Sequence, residues 1–152
     1  MDIYTLIRKD HDEAKAVMAK IKSLSEGRHD ERLKLFGPLK DNLIAHNESE
    51  EESFYVALKQ HVKTRAEADH SRKEHHEAAE LLEDLDDEYM APAEWTKKFS
   101  KLYSALIHHI SNEENKVFAD AYTVLSEETA HKLVGIMQNL KKQKTTLLRK
   151  AG

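Results

Sequence analysis

The sequence predicts an all-α protein, an antiparallel up-and-down four-helix bundle followed by an extra C-terminal helix. Only four glycines and two prolines occur among 152 residues, and so few helix breakers favour long helices over a sheet. Two segments are also repeated in order and at nearly the same offset. RKDHDEA from Arg8 matches RKEHHEA from Arg72, and HNESEEESFY from His46 matches HISNEENKVF from His109. The repeat predicts two similar helical hairpins packed face to face.

Predicted helix one opens the first hairpin. It is expected to begin near Ile3 with Asp2 as its N-cap, and to end before Gly27, which suits the C′ position. Helical spacing gives it an apolar face of Ile7, His11, Ala14, Met18 and Ile21.

Predicted helix two runs from about Asp30 to about Val62. Gly37 and Pro38 lie within its pattern, so a kink or a brief break is expected there rather than a domain boundary. Its apolar face consists of Leu33, Phe36, Leu39, Leu43, His46, Glu50, Phe54 and Ala57.

The second hairpin combines predicted helices three and four. Helix three is expected to start at Thr64, in a capping box with Glu67, and to continue to about Glu88. Helix four is expected to start at Pro92, since proline suits a first helical turn. The inward positions of the two helices are His75, Ala79, Leu82, Leu85, Trp95, Phe99, Leu102, Leu106, His109, Glu113 and Val117.

A fifth helix is predicted after Ser126, which suits its N-cap, with Leu133, Met137, Leu140 and Leu147 along one side. The chain therefore divides into a four-helix bundle over residues 1–125 and a C-terminal helix over residues 126–152. That helix is expected either to pack on the bundle or to form a dimer contact, so monomer and homodimer both stay open.

The composition excludes several classes of function. A net charge of −4 argues against a nucleic-acid partner. The absence of cysteine excludes disulfides, thiolate zinc sites, iron–sulfur clusters and cysteine nucleophiles. No segment has the apolar length of a membrane span or the form of a signal peptide, so no membrane association and a cytoplasmic location are expected. The ten histidines stand out, because histidine is the commonest metal ligand.

Two His-x-x-x-Glu pairs carry the chemistry. Residues four apart share a helix side, so His46 points with Glu50, and His109 points with Glu113. A single such pair is equally well explained as a surface ion pair. Here both pairs lie on apolar faces, where an ionised carboxylate without a partner costs several kcal/mol. A cation between the two glutamates would remove that cost.

The other two helices contribute His11 and His75, so the candidate ligands are His11, His46, Glu50, His75, His109 and Glu113. Six ligands exceed the needs of one tetrahedral zinc ion. They suit two metal ions bridged by the carboxylates. Mixed imidazole and carboxylate ligands favour iron, with manganese or zinc as substitutes.

These residues resemble the hemerythrin-like, HHE cation-binding family over roughly residues 3 to 120. The resemblance rests on DHDEA in helix one, HNESEE in helix two, EHHEAAELL in helix three and HISNEE in helix four. It implies that the six candidates are metal ligands and that Glu50 and Glu113 bridge two iron ions, which also share an oxo or hydroxo bridge. It further implies a small ligand, either dioxygen, nitric oxide or peroxide, or a role in sensing iron.

One position departs from the family pattern. The oxygen carriers of this family have a further histidine one turn before the helix-three ligand, where this chain has Ser71. The departure favours redox reactivity or sensing over reversible oxygen carriage. His70, Tyr4 and Tyr55 are the candidates to fill the gap. Whether the protein is an enzyme that processes peroxide or nitric oxide, a non-enzymatic iron or gas sensor, an oxygen store, or a structural bundle that holds zinc stays open at this level.

Several neighbouring residues are not expected to be ligands. His76 and His108 face away from the ligand positions, at the surface or behind the ligands. Glu51, Glu52 and Glu114 are expected to be solvated charges, with attraction of cations as the alternative role for Glu51 and Glu114. Leu106 lies one turn before His109 and is expected to line a small apolar gas pocket.

Overall fold

The computed structural model describes residues 1–151, which form helices joined by short connections and contain no strand. The elements are α1 (Ile3–Ser23), α2 (His29–Glu51), α3 (Phe54–Lys59), α4 (Val62–Leu85), α5 (Pro92–Asn112), a π-helical turn (Glu113–Val117), α6 (Phe118–Val124) and α7 (Glu127–Ala151). The predicted helical bundle with an extra C-terminal helix is confirmed. Within these residues, no helix has both the length and the apolar composition that crossing a bilayer requires.

Three predicted helix starts are confirmed. The Asp2 carboxylate accepts a hydrogen bond of 2.9 Å from the backbone N–H of Thr5 and caps α1. Pro92 is the first residue of α5. The Ser126 hydroxyl accepts a hydrogen bond of 3.1 Å from the N–H of Thr129, just inside α7.

Helix α1 ends before Gly27, as predicted, but two predicted capping assignments are wrong. Helix α1 ends at Ser23 with Leu24 as its C-cap, so Gly27 is not the C′ residue; its φ of +87° instead serves the turn before α2. The predicted capping box at Thr64 does not form, because α4 begins earlier, at Val62. The Thr64 hydroxyl instead donates a hydrogen bond of 2.6 Å to the Leu58 carbonyl of α3.

The brief break that was one alternative at Gly37 and Pro38 does not occur. Helix α2 runs through Pro38, and the interruption falls at Glu52 and Ser53, between α2 and α3. At that point the Ser53 hydroxyl donates a hydrogen bond of 2.6 Å to the carbonyl of Ser49. Such side-chain bonds compete with the helical ladder and help to end it.

The core consists of two apolar clusters. One contains Ile3, Tyr4, Ile7, Phe54, Tyr55, Leu58, Val117 and Phe118 near one end of the bundle, together with Leu133 and Met137 of α7. The other contains Met18, Ile21, Phe36, Leu39, Leu82, Trp95, Phe99 and Leu102. On each long helix the candidate metal ligands fall between the residues of these clusters, so they form a polar layer inside the core.

Helix α7 packs against α1 and α2. Beyond its apolar contacts, Lys141 forms an ion pair of 2.8 Å with Asp10 of α1. Lys144 pairs with Glu52 and lies 4.0 Å from Glu48, at the end of α2. The contacts with α7 therefore reach the polar layer as well as the apolar core.

Candidate metal centre

All six candidate ligands are brought together in the polar layer. Each is at most 5 % exposed, so water does not compensate their polar atoms. They come from four elements of the bundle and from the π-helical turn: His11 (α1), His46 and Glu50 (α2), His75 (α4), His109 (α5) and Glu113 (the turn). The repeated motifs of the sequence therefore meet at one place.

The donor atoms form two groups that share one carboxylate. His11, His46 and Glu50 make one group, and Glu50, His75 and His109 make the other. Within each group one donor atom from every residue lies within 4.8 Å of the others. The carboxylate of Glu50 has Oε1 at 3.6 Å from Nε2 of His46 and at 3.3 Å from Nε2 of His75. A carboxylate between two sets of imidazoles is placed to bridge two cations.

Glu113 also lies between the two groups of donor atoms. Its Oε1 is 3.2 Å from Nε2 of His11, and its Oε2 is 4.0 Å from Nε2 of His109. Each of the two predicted bridging carboxylates therefore faces a histidine of each group.

The chemistry of these donors fits a cation. Nε2 of His11, Nε2 of His46, both carboxylate oxygens of Glu50 and Oε1 of Glu113 are buried without a hydrogen-bond partner among residues 1–151. Orphaned buried polar atoms are costly and rare in folded proteins. Five of them aimed into one layer are explained if metal ions coordinate them.

A carboxylate holds each of the four imidazoles from behind, through Nδ1. The contacts are His11 with Glu114 at 2.7 Å, His46 with Asp10 at 2.8 Å, His75 with Glu51 at 3.1 Å and His109 with Glu74 at 2.9 Å. An ionised carboxylate can only accept, so each Nδ1 donates, and once the ring is neutral its Nε2 presents a lone pair to the centre. This is the arrangement that orients metal-binding histidines.

These four outer carboxylates occupy equivalent places in the two halves of the sequence repeat. Asp10 and Glu74 directly precede His11 and His75, and each contacts the histidine of its own hairpin partner helix. Glu51 and Glu114 directly follow the two predicted bridging glutamates, and each contacts a histidine of the opposite hairpin. The expectation that Glu51 and Glu114 are merely solvated is therefore wrong. Asp10 and Glu74 were missed, although their repeated place before a histidine was a usable signal.

Each of the four outer carboxylates is itself contacted by a basic side chain. Glu114 lies 3.9 Å from Arg8, Glu51 lies 3.3 Å from Arg72, Asp10 lies 2.8 Å from Lys141 and Glu74 lies 3.7 Å from His70. The two arginines occupy equivalent places in the repeat. Lys141 belongs to α7, which is not part of the repeat.

The metal-free centre holds protons that a cation must displace. Burial and the charge of Glu113 raise the pKa of Glu50 well above its usual range. Although burial opposes it, contact with Glu113 raises the pKa of His11 to about 9. Although burial opposes it too, contacts with His11 and His109 hold the pKa of Glu113 well below its usual range. Burial lowers the pKa of His46 to about 4.

Of the three candidates to take the place of the family's further histidine, which is Ser71 in this chain, Tyr55 is the one whose side chain reaches the centre. Its hydroxyl donates a hydrogen bond to Oε2 of Glu113 and lies 3.4 Å from Nε2 of His75. Of the other candidates, His70 is exposed and faces Glu74, and the Tyr4 ring packs against Phe54 in the apolar core.

The expected bystanders lie where they were predicted. His76, His108 and Glu52 are exposed, and Leu106 is buried beside the histidines, in the wall of a cavity.

Fold and site together define a helical bundle with a buried cation-binding layer of histidine and glutamate. The model of the hemerythrin HHE cation binding domain matches residues 2–121. The chain therefore belongs to the hemerythrin HHE cation-binding family, as its motifs indicate. No curated protein and no solved structure gives a significant match. Helix α7 lies beyond the matched residues.

Proposed function

We propose that this chain is a non-haem di-iron protein that binds or reacts with a small molecule, namely dioxygen, peroxide or nitric oxide. The observation that carries the proposal is the pair of buried donor groups that share Glu50. His11 and His46 would hold one ion, His75 and His109 the other, and Glu50 and Glu113 would bridge them. Zinc and manganese are the alternative metals that this donor set accepts.

When bound, two iron ions would supply ligand binding and electron transfer at the centre. The protein would contribute orientation, because outer carboxylates fix the imidazoles through Nδ1. It would also contribute a water-poor surrounding, because apolar clusters lie on both sides of the polar layer. Both effects favour a site of constant geometry.

We place redox reactivity ahead of reversible storage because of Tyr55. Its hydroxyl is a hydrogen-bond donor that already contacts Glu113 within the centre. Behind it, Glu51, Tyr55, Arg72 and His75 border an open groove between α2, α3 and α4 that has charged side chains in its lining. The groove would admit protons to the His75 side of an otherwise apolar surrounding, which suits a reaction that consumes protons, such as peroxide reduction.

Sensing of iron or a gas is the second candidate, and one observation favours it. Lys141 of α7 contacts Asp10, and Asp10 holds the predicted ligand His46. A change in the occupancy or oxidation state of the centre therefore has a path of direct contacts to a surface helix.

The test begins with metal analysis of the purified protein, followed by optical titration of the anaerobic, iron-loaded form with dioxygen. Irreversible oxidation would support the reactive site, and peroxide and nitric oxide turnover would then be measured. A visible band that disappears when oxygen is removed would establish reversible binding and overturn the redox preference. Two zinc ions per chain with no iron-dependent spectrum would overturn the di-iron proposal.

A further inference from the structure

A second, more apolar cavity adjoins the centre. Its volume is about 260 Å³, and it lies between α1, α2 and α5. Val17, Leu43, Leu106 and Ile110 supply apolar wall, with Ala14 beside them. His11, His46 and His109 form its inner end. A molecule in this cavity would therefore touch the predicted metal ligands directly.

The cavity is larger than a diatomic molecule or hydrogen peroxide requires. A water molecule takes about 30 Å³ of liquid volume, and an engineered apolar cavity of about 150 Å³ holds benzene. A volume of about 260 Å³ therefore accommodates a substituted benzene ring or a branched alkyl group of similar size. The cavity therefore has room for a molecule larger than a gas.

The charges around the cavity argue against an ionic occupant. Those at its edge have both signs, with Glu13 and Lys34 exposed and Lys141 paired to Asp10. With two divalent ions bound, the carboxylates of Glu50 and Glu113 and the four outer carboxylates outnumber the four positive charges of the ions, so an anion would lose its hydration against the apolar wall without meeting a net positive charge. The imidazole nitrogens are then occupied by the ions and the outer carboxylates. The Asn47 amide in the lining and the ions themselves would meet an uncharged oxygen group at the inner end.

We propose that this cavity binds an uncharged organic molecule that has an apolar body of about benzene size and one hydroxyl or hydroperoxyl group directed at the centre. The inference deepens the proposed function, on which it rests, by assigning the chemical class of the molecule that reaches the centre. The gas or peroxide is then not the only molecule that meets these ligands.

The test uses the zinc-loaded full chain, because zinc does not change oxidation state and binding is then separated from reaction. Benzyl alcohol, toluene and benzoate are titrated, and amide NMR shifts are followed. Saturable binding of benzyl alcohol is expected, with shifts centred on the cavity residues Ala14, Val17 and Leu106. Toluene should bind less tightly, and benzoate at least about tenfold less tightly than the alcohol, because of the desolvation of its charge.

Matched variants locate the site. Ala14→Phe fills the cavity from α1, whereas Ala16→Phe makes the same change on the exposed side of the same helix. Ala14→Phe should lower the affinity for benzyl alcohol at least about tenfold, and Ala16→Phe should leave it unchanged, with equal zinc content in both. Val17→Phe provides a second filling variant if Ala14→Phe does not fold.

Three outcomes would overturn the inference: no saturable binding, equal binding by filled and control variants, or benzoate as the tightest ligand. Failure of the iron-loaded protein to react, with benzyl alcohol binding intact, would instead count against the proposed redox function alone. The two failures are thus distinguishable.

Discussion

Lys141 in α7 donates a hydrogen bond of 2.8 Å to one carboxylate oxygen of Asp10 in α1, and the other oxygen lies 2.8 Å from Nδ1 of His46. Although burial opposes it, contacts with His46 and Lys141 lower the pKa of Asp10. Asp10 is thereby kept ionised and in one orientation. A helix beyond the family-matched residues 2–121 thus helps to position a predicted metal ligand.

Lys141→Met is therefore expected to weaken metal binding, although Lys141 touches no predicted ligand. Removing a group that directly orients a ligand costs about 10–100-fold in metal affinity. Lys141 contacts Asp10 and not the ligand itself, so a loss of metal affinity of up to about tenfold is expected. Competition with a chelator of known affinity measures it. Lys142→Met removes the same charge from an exposed neighbour. An equal loss of metal affinity in that variant would show that the effect comes from net charge alone.

The two bridging glutamates are expected to differ in the metal-free protein. Glu50→Gln and Glu113→Gln should each lower bound metal, because an amide is a poor replacement for a bridging carboxylate. Without metal, Glu113→Gln should cost about 1.5–3 kcal/mol, since it removes one of the two carboxylates that contact the protonated His11 and leaves only Glu114. Glu50→Gln should cost much less, because the raised pKa of Glu50 favours its neutral form.

Metal content and urea unfolding of the metal-free variants check both statements. Glu52→Gln, which is exposed on the same stretch of chain, serves as the control. Full metal content in both bridging variants would show that these carboxylates do not bridge. Equal stabilities of the two metal-free variants would contradict the distribution of protons described for the centre.

The fold and the six candidate ligands could be predicted because they are local patterns. Spacing on a single helix places His46 with Glu50, and an apolar face marks which side of the helix is buried. The outer carboxylates could not be predicted in the same way. Glu114 holds a histidine 103 positions away in the sequence, and only the packing of two helices makes that contact.

The irregular segments could not be predicted either, and they position Tyr55. On a continuous helix Tyr55 would lie roughly 140° around the axis from Glu50. The interruption at Ser53 turns it toward the centre. A π-helical turn follows Glu113 at the equivalent place. Helix propensity does not mark either irregularity, and such turns are frequent at functional sites.

Metal binding is expected to release protons near neutral pH. The pKa of His11 is about 9, so this imidazole is protonated at pH 7.5 and must lose its proton to coordinate an ion. The raised pKa of Glu50 acts in the same direction. About one proton per chain or more is therefore expected to be released, and affinity should rise with pH until about pH 9.

Zinc titration by calorimetry, in buffers of different ionisation enthalpy, counts these protons. His11→Gln should release fewer, since the group with the raised pKa is gone. An enthalpy of binding that does not depend on the buffer would contradict the prediction. Acidification below about pH 6.5, the ordinary histidine pKa, should release the metal.

Two buried tyrosines offer a matched test of the centre that needs no metal. The Tyr55 hydroxyl donates to Glu113, whereas the Tyr4 hydroxyl is buried without a hydrogen-bond partner among residues 1–151. Tyr55→Phe removes a donor from a buried, ionised carboxylate and should cost about 1–3 kcal/mol in the metal-free protein. Tyr4→Phe removes a hydroxyl that gains nothing from burial and should leave stability unchanged or increase it. Urea unfolding of both variants measures the difference. Equal costs would show that the Tyr55 side chain contributes only packing. The idea that Tyr55 takes the place of the family's further histidine would then be wrong.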